Sequence, residues 1–317
     1  MNKKAFICAL QATSGKTVSC KKKKERRVMK ICNLYKVMGV MSLLSLFSCA
    51  KDDPHNTPHP DKGAVQVTAD WSGRSTEAPV PGSYTLCIGE ESQVVTAETN
   101  TFRSLLAPGS YRLLVYNIPE GISVTGHTAT VDTEADGTLT PQPGYLFSAT
   151  SELNVIADDT LKATLTMQQY TRSLVLALEL AEGDKERIAG TAARLTGIAN
   201  SLDLVTGEQT DGQTGKTVVP EFKFSTLAPA EDKPALTTTL RLVGVVKDEQ
   251  QILTLDVTLT DGTVHTITTN LTEALKNLGD NVEALVLDAA LNLPTSANAS
   301  ATITEWKEVN NGNITIH

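Results

Sequence analysis

The sequence ILTLDVTLTDGTVHTIT, residues 252–268, decides the fold class of this chain. Apolar residues alternate with polar ones on both sides of Asp261-Gly262, and a period of two residues is that of a strand with one buried face. An Asp-Gly pair between two such runs favours a tight turn, because the glycine adopts the positive φ that the turn requires. The stretch therefore predicts a β-hairpin with strands over 252–259 and 264–268.

The same alternation recurs along the chain in short segments rich in Thr and Val. A second Asp-Gly pair, at Asp136-Gly137, supports another hairpin. Short strands separated by regular turn signals are typical of an antiparallel sandwich. The clearest of these strand patterns cover 64–71, 111–116, 122–131 and 161–167.

Two segments, 184–195 and 272–278, have apolar residues at the spacing of one helix face, and both lie in the C-terminal half of the chain. A long apolar run that follows Arg172 begins a second series of strands. We therefore predict an all-β fold with two short helices, built as two tandem antiparallel β-sandwich domains over 63–170 and 171–317.

The first 48 residues have the layout of a secretory signal. A basic stretch at 21–27 precedes an uncharged apolar run over 37–47, which is about half of the roughly 20 residues that cross a membrane. A buried core helix is the alternative, but a dense run of Lys and Arg does not normally precede one. We predict that 1–48 is a leader with a lipoprotein signal peptide, and Met29 is an alternative start.

The sequence LFSC, which ends at Cys49, resembles the lipobox of bacterial lipoproteins. The resemblance implies that the Cys49 thiol is acylated and that the protein is lipid-anchored in the outer membrane. Residues 49–62 contain three prolines and are typical of an extended tether. Lys51, Asp52 and Asp53 resemble the short charged signal that sends Bacteroidetes-type lipoproteins to the cell surface. The alternative interpretation is that they belong to an ordinary solvated linker.

The charge of the chain is divided unevenly between the leader and the remainder. The whole chain has a formal net charge of −8, but the first 48 residues carry 11 of its 28 Lys and Arg residues and one of its 36 acidic residues. The remainder therefore carries a net charge of −18. Such a chain is repelled by nucleic-acid phosphates and by an anionic bilayer, so membrane attachment has to come from the lipid.

Few residues after the leader have the chemistry of a catalytic or metal site. Cys87 is the one cysteine besides Cys49, so neither an internal disulfide nor a cysteine-based metal site is predicted. Neither an HExxH nor a GxSxG motif is present. We predict no enzyme activity, cofactor, metal or small-molecule substrate, although a hydrolase with an unrecognised site is the weakest alternative. The histidines are scattered: His55, His59, His127, His265 and His317.

Aromatic residues make up 4% of the chain, and two of them are tryptophans. Trp71 ends the first strand and Trp306 lies near the last one. Each is interpreted as filling a sandwich core, with sugar stacking as the alternative. Exposure of Trp71, Trp306 and Tyr145 on one face would favour a glycan-binding surface lipoprotein of a polysaccharide-uptake system.

Several segments with the lipobox resemble a known family. They are GAVQVTADWS at 63–72, LLAPGSY at 105–111, ARLTGIA at 193–199 and ITEWK at 303–307. They are similar to the fimbrillin-type surface lipoproteins of Bacteroidetes, in particular the FimB-like anchor and minor fimbrial subunits. Over 49–317 the resemblance implies two transthyretin-like sandwiches and a fimbrial anchor or minor subunit, with other fimbrial subunits as partners through a donated strand.

The resemblance also raises the question of proteolytic trimming. Stalk subunits of such families are cut after a basic residue of the first domain, and Arg74 and Arg103 are the candidates here. A chain that keeps lipid on Cys49 cannot lose its first strand and stay anchored, which favours an anchor role. The alternating residues 313–317 predict a last strand that pairs internally or is offered to a partner.

Overall fold

The computed structural model describes residues 60–227, 233–295 and 299–309. Residues 1–59, with the predicted leader and nearly all of the tether, and the predicted last strand at 313–317 lie outside this part of the chain. The first half contains ten strands: β1 (Ala64–Asp70), β2 (Tyr84–Ile88), β3 (Glu91–Val95), β4 (Thr99–Thr101), β5 (Gly109–Tyr116), β6 (Ile122–Thr125), β7 (Thr128–Val131), β8 (Phe147–Val155), β9 (Thr160–Thr166) and β10 (Gln168–Gln169).

The second half continues with eleven strands, a short 3-10 helix at Lys185–Arg187 and one short α-helix, α1, at Thr272–Leu275. The strands are β11 (Arg172–Leu180), β12 (Ile188–Ile198), β13 (Ser201–Asp203), β14 (Lys216–Val218), β15 (Lys223–Leu227), β16 (Lys233–Leu242), β17 (Ile252–Leu259), β18 (Val264–Asn270), β19 (Leu285–Asn292), β20 (Thr302–Ile303) and β21 (Lys307–Glu308). The predicted all-β class is confirmed.

The hairpin predicted from residues 252–268 is present as β17 and β18. Their antiparallel register pairs Ile252 with Asn270 and Thr258 with Val264. Gly262 has a φ of +85°, where a side chain would be strained. The Asp261 carboxylate accepts a 2.8 Å hydrogen bond from the backbone N–H of Thr263, and this bond supports the turn.

Each half packs two sheets face to face. In the first half, sheet β4-β1-β9 lies over sheet β10-β8-β5-β2-β3, and both contribute side chains to one buried cluster that includes Val67, Leu86 and Leu113. In the second half, β15-β16-β11-β19 and β14-β12-β17-β18 enclose a second cluster that includes Leu176 and Leu255. Side-chain alternation supplies each sheet with its apolar face.

The first and last long strands of each half pair in parallel, which the sequence did not predict. Strand β1 pairs with β9 from Ala64↔Thr160 to Asp70↔Thr166. Strand β11 pairs with β19 from Leu174↔Leu285 to Leu180↔Leu291. Parallel neighbours need a long connection between them, and here that connection is the rest of each half. The other strand pairs are antiparallel, as expected for the predicted sandwich.

Part of the first half packs into the core of the second. The hairpin of β6 and β7 pairs through β7 with β13. Leu139 bridges to Val218, and both belong to the second buried cluster. The chain between β5 and β8 therefore serves both halves, and the boundary between residues 170 and 171 stays a prediction.

The helix predicted over 184–195 is wrong. A single 3-10 turn is followed by strand β12, which pairs antiparallel with β17. In the strand Ala193 and Leu195 are buried and Ala192 is exposed, whereas the predicted helical face required Ala192 to be buried. Asp184 makes no side-chain cap and instead pairs with Arg187 at 2.6 Å. Pairing with a neighbouring strand decides the conformation against a weak helical period.

Two other elements differ in extent from the prediction. The alternating run 122–131 forms two strands, because the chain turns at Gly126, whose φ is +61°. The helix predicted over 272–278 is present as α1 but ends at Leu275. The backbone N–H of Leu278 then bonds the Leu275 carbonyl at 3.1 Å in a turn.

Candidate functional site

Strand β1 fills the groove between β4 and β9 and is the first candidate site for strand pairing. Its inward side chains, Val65, Val67 and Ala69, are fully buried. Backbone bonds hold both of its edges: Ala64 N–H donates to the Asp159 carbonyl at 2.9 Å, and Phe102 N–H donates to the Val65 carbonyl at 2.8 Å. An extended chain can occupy this groove only by pairing with both flanking strands.

The two candidate cleavage residues flank this groove. Arg74 is exposed in the turn after β1, where its side chain donates to the carbonyls of Trp71 and Ala78 at 3.0 and 3.1 Å. Arg103 is exposed after β4, and its backbone N–H donates to the Gln93 side chain at 2.7 Å. A cut after Arg74 would sever β1 alone from the covalent chain, whereas a cut after Arg103 would sever β1 to β4, including the core strand β2.

Residues 302–309, called the C-terminal edge segment below, form the second candidate site. The segment lies along the outer edge of β19 in two short antiparallel ladders, Leu291↔Ile303 with Asn292↔Thr302 and Leu287↔Glu308 with Asp288↔Lys307. Between and beyond them it makes only isolated backbone bonds to β19. The segment covers a strand edge that would otherwise be free to bind another strand.

Trp306 attaches the C-terminal edge segment to the second sandwich. Its half-buried ring packs against the second buried cluster, and its indole N–H donates to the Thr269 hydroxyl of β18 at 3.2 Å. Ala301 and Ile303 contact the same cluster. Together with the preceding Ala301, the segment thus closes the gap between β18 and β19 with few backbone bonds and three apolar contacts.

Within the described part of the chain, the corresponding edge of the first half has no such cover. Strand β9 pairs with β1 on one side and, among the described residues, with no strand on the other. Thr160, Lys162, Thr164 and Thr166 are exposed along it. One Lys is a modest protection against edge-to-edge pairing, so β9 offers a seven-residue edge for strand addition.

The aromatic residues do not form a shared exposed platform. Trp71 is buried and makes edge-to-face contacts with Tyr84 and Phe147, at centroid distances of 5.5 and 5.4 Å. The half-buried Tyr145 lines a shallow depression of about 460 Å³, and the Arg241 guanidinium lies 4.7 Å from its ring centroid. The interpretation of Trp71 as a core residue fits this geometry, whereas Trp306 is half-buried and packs against the second cluster from its margin.

Structural contacts shift the pKa values of Asp70 in β1 and Cys87 in β2. Asp70 accepts hydrogen bonds from the backbone and hydroxyl of Ser72 and from the hydroxyl of Thr166, and these bonds hold the pKa of its carboxyl below the ordinary value. Burial raises the pKa of the Cys87 thiol and also that of the neighbouring Tyr116. A thiol with a raised pKa is a poor nucleophile at neutral pH.

The described part of the chain contains no group of three or more His, Cys, Asp or Glu side chains arranged to hold a metal ion. Among the same residues, no helix is long and apolar enough to cross a membrane. The predicted lipidation site Cys49 and the predicted export signal at Lys51, Asp52 and Asp53 lie outside the described residues, so these predictions remain untested.

Comparison with known proteins identifies a family. The sequence profile of the fimbrillin-A associated anchor proteins Mfa1 and Mfa2 matches residues 82–312. The match begins before β2 and ends beyond β21, so it covers the C-terminal edge segment and both sandwiches except strand β1. No curated protein sequence matches the chain significantly.

Solved structures of bacterial proteins share the fold. The fimbrial anchor protein Mfa2 of Porphyromonas gingivalis has a TM-score of 0.55 at 12% identity, over 81% of this chain and 100% of that chain. A candidate adhesin of Bacteroides thetaiotaomicron has a TM-score of 0.55 at 13% identity, over 83% and 100%. A candidate polysaccharide-binding protein of the same species has a TM-score of 0.53 at 9% identity, over 79% and 99%.

Proposed function

Because the chain belongs to the family of fimbrillin-A associated anchor proteins, we propose that it is a fimbrial anchor or minor subunit. The acylated Cys49 holds it in the outer membrane, facing the cell surface, and Lys51, Asp52 and Asp53 direct it there. The family match over residues 82–312 is the observation that carries this proposal. The structural neighbours support the fold on which it rests.

The protein assembles with other fimbrial subunits through strand pairing at sheet edges. Two features support this mode: the bare edge of β9 and the short ladders that hold the C-terminal edge segment on β19. Main-chain hydrogen bonds supply affinity in such pairing, and alternate side chains supply specificity.

An anchor role is favoured over a stalk role by the position of β1. The tether that follows Cys49 leads directly into β1, which is bonded along both edges. A cut after Arg74 separates the lipid from the rest of the covalent chain, so an anchor needs this bond to stay intact.

The test compares the tagged full chain with two cysteine variants in a fimbriated cell. Cys49→Ala is expected to move from the membrane to the soluble fraction, whereas Cys87→Ala, which changes a half-buried free thiol, stays with the membrane. The wild-type chain is expected to co-purify with a ladder of polymeric pilin. Membrane retention of Cys49→Ala would contradict the lipid anchor, and a monomer without bound subunits would contradict the fimbrial role.

Glycan binding is the less favoured function. Trp71 is buried in the first core and the half-buried Trp306 packs against the second, so the two do not form a shared exposed face for sugar stacking. Tyr145 alone lines an open depression, and Arg241 lies against its ring. Retention of the monomer on a polysaccharide column, without bound subunits, would reverse this preference.

A further inference from the structure

In each half, the first and the last long strand lie side by side and run in the same direction. Strand β1 pairs in register with β9 over seven residues, and β11 pairs with β19 over seven residues. Because the strands are parallel, the start of β1 at Ala64 and the end of β9 at Thr166 are at opposite ends of their ladder. The start of β11 and the end of β19 have the same relation.

This arrangement determines how a pulling force acts on the ladder. Tension between the chain before β1 and the chain after β9 slides the two strands along each other. All bonds of the ladder then resist together, whereas bonds that are peeled from one end break one at a time. Each backbone bond has a modest net strength, so simultaneous loading is what makes a strand pair resistant. The rupture rate under force reflects the unfolding barrier rather than the equilibrium stability.

We propose that the parallel pairs β1–β9 and β11–β19 are force-bearing clamps that keep the protein folded when it is pulled between its N-terminal attachment and its partner. The β1–β9 pair carries the tension that enters through the tether. The use of this clamp in the cell rests on the proposed attachment through Cys49, whereas its mechanical strength rests on the geometry alone.

Strand β1 is also bonded on its second edge, which strengthens the first clamp. Gly63 and Leu106 exchange two backbone hydrogen bonds of 2.8 and 2.9 Å at the point where the tether enters the fold. Further along the same edge, Ala69 N–H donates to the Glu98 carbonyl at 3.0 Å, while on the β9 edge Met167 N–H donates to the Asp70 carbonyl at 2.8 Å. Sliding β1 must break these bonds while it also withdraws three fully buried side chains from the core.

The second clamp has a similar construction. Strand β11 lies between β19 and β16 and pairs with β16 over eight residues, from Arg172↔Leu242 to Glu179↔Ala235. Its side chains from Leu174 to Leu178 are buried. The strand that starts each half is therefore an interior strand of its sheet, so it cannot be detached from one edge alone.

The test is single-molecule force spectroscopy on the chain from residue 50, with one handle in place of Cys49. The described residues from 60 onward belong to one compact unit, so this chain retains the whole described fold. In the sliding geometry, the second handle is attached after His317, so the force slides β1 along β9. In the peeling geometry, the second handle is attached to Ile156→Cys in a Cys87→Ala background. Ile156 is exposed in the turn before β9, so this second geometry peels the same ladder from one end. We expect the rupture force to be severalfold higher in the sliding geometry, and equal forces in the two geometries would overturn the proposal.

Two matched valine variants separate a clamp from ordinary core stability. Val67 of β1 and Val115 of β5 are both fully buried in the first core. Val67→Ala and Val115→Ala are expected to lower the midpoint of urea unfolding similarly, but only Val67→Ala should lower the rupture force in the sliding geometry. An equal loss of force in both variants, or no loss in Val67→Ala, would overturn the proposal without bearing on membrane attachment through Cys49.

Discussion

Trp306→Ala is expected to release the C-terminal edge segment from β19 while both sandwiches remain folded. Truncation of a fully buried Trp costs roughly 3–5 kcal/mol. Trp306 is half-buried and its indole makes one hydrogen bond to Thr269, so about 2 kcal/mol is a reasonable cost for this position. That free energy corresponds to an increase of about 30-fold in the detached population.

Residue-resolved hydrogen exchange measures this detachment directly. The reporters are the Thr304 N–H, which donates to the Ala290 carbonyl at 3.0 Å, and the Val309 N–H, which donates to the Val286 carbonyl at 2.9 Å. Both amides are expected to lose about 30-fold of their protection. Amides of the β17–β18 hairpin should keep theirs, because local opening does not require global unfolding.

Trp71→Ala is the matched control, because Trp71 is the other tryptophan and lies in the first core. It is expected to lower global stability by roughly 3–5 kcal/mol and to leave Thr304 and Val309 protected at temperatures where the protein stays folded. The reasoning is refuted if Trp306→Ala leaves the protection of Thr304 and Val309 unchanged, or if it reduces protection equally throughout the second sandwich.

Two further predictions concern the hairpin turn and the β1–β9 junction. Gly262→Ala places a side chain at a φ of +85° and should lower the free energy of unfolding in urea by about 1–2 kcal/mol, whereas Gly190→Ala, at an open position with ordinary φ, should lower it little. The pKa of Asp70 is lower in the folded state than in the unfolded chain, so its stabilising contribution is present above the unfolded pKa of about 3.9 and is lost as pH falls through the folded pKa. NMR titration should give a lower pKa for Asp70 in the folded protein than in the urea-unfolded chain. Asp70→Asn should weaken the decrease in stability as the pH falls into the acid range. An Asp70 pKa equal to the unfolded value would contradict this account.

The strand content of the chain was readable from the sequence because alternation reports burial directly. In β17 every second residue is buried, from Leu253 to Leu259, and the sequence shows the same period. The Asp-Gly pair then fixed the turn and its register. The same logic succeeded for β9, where alternate residues are exposed.

Pairing between distant strands could not be read in the same way. The parallel partners β1 and β9 are separated by most of the first half, and alternation does not distinguish a parallel neighbour from an antiparallel one. The helix prediction for 184–195 was wrong for a related reason. Ala192, Ala193 and Arg194 are compatible with a helix or a strand, and pairing with β17 decides for the strand. Ladder bonds with a distant strand outweighed the local preference.

The two candidate pairing sites differ in how firmly the chain holds its own strand, and this difference bears on the proposed role. Strand β1 pairs with β9 over its full length and with β4 from Gln66 to Thr68, and three of its side chains are fully buried. The C-terminal edge segment is bonded on one edge through two ladders of two residues each. Exchange with a partner's strand requires the resident strand to leave, and the cost of leaving is much lower for the C-terminal edge segment. A subunit that exchanges this segment and retains β1 keeps its connection to Cys49 throughout assembly, as an anchor must.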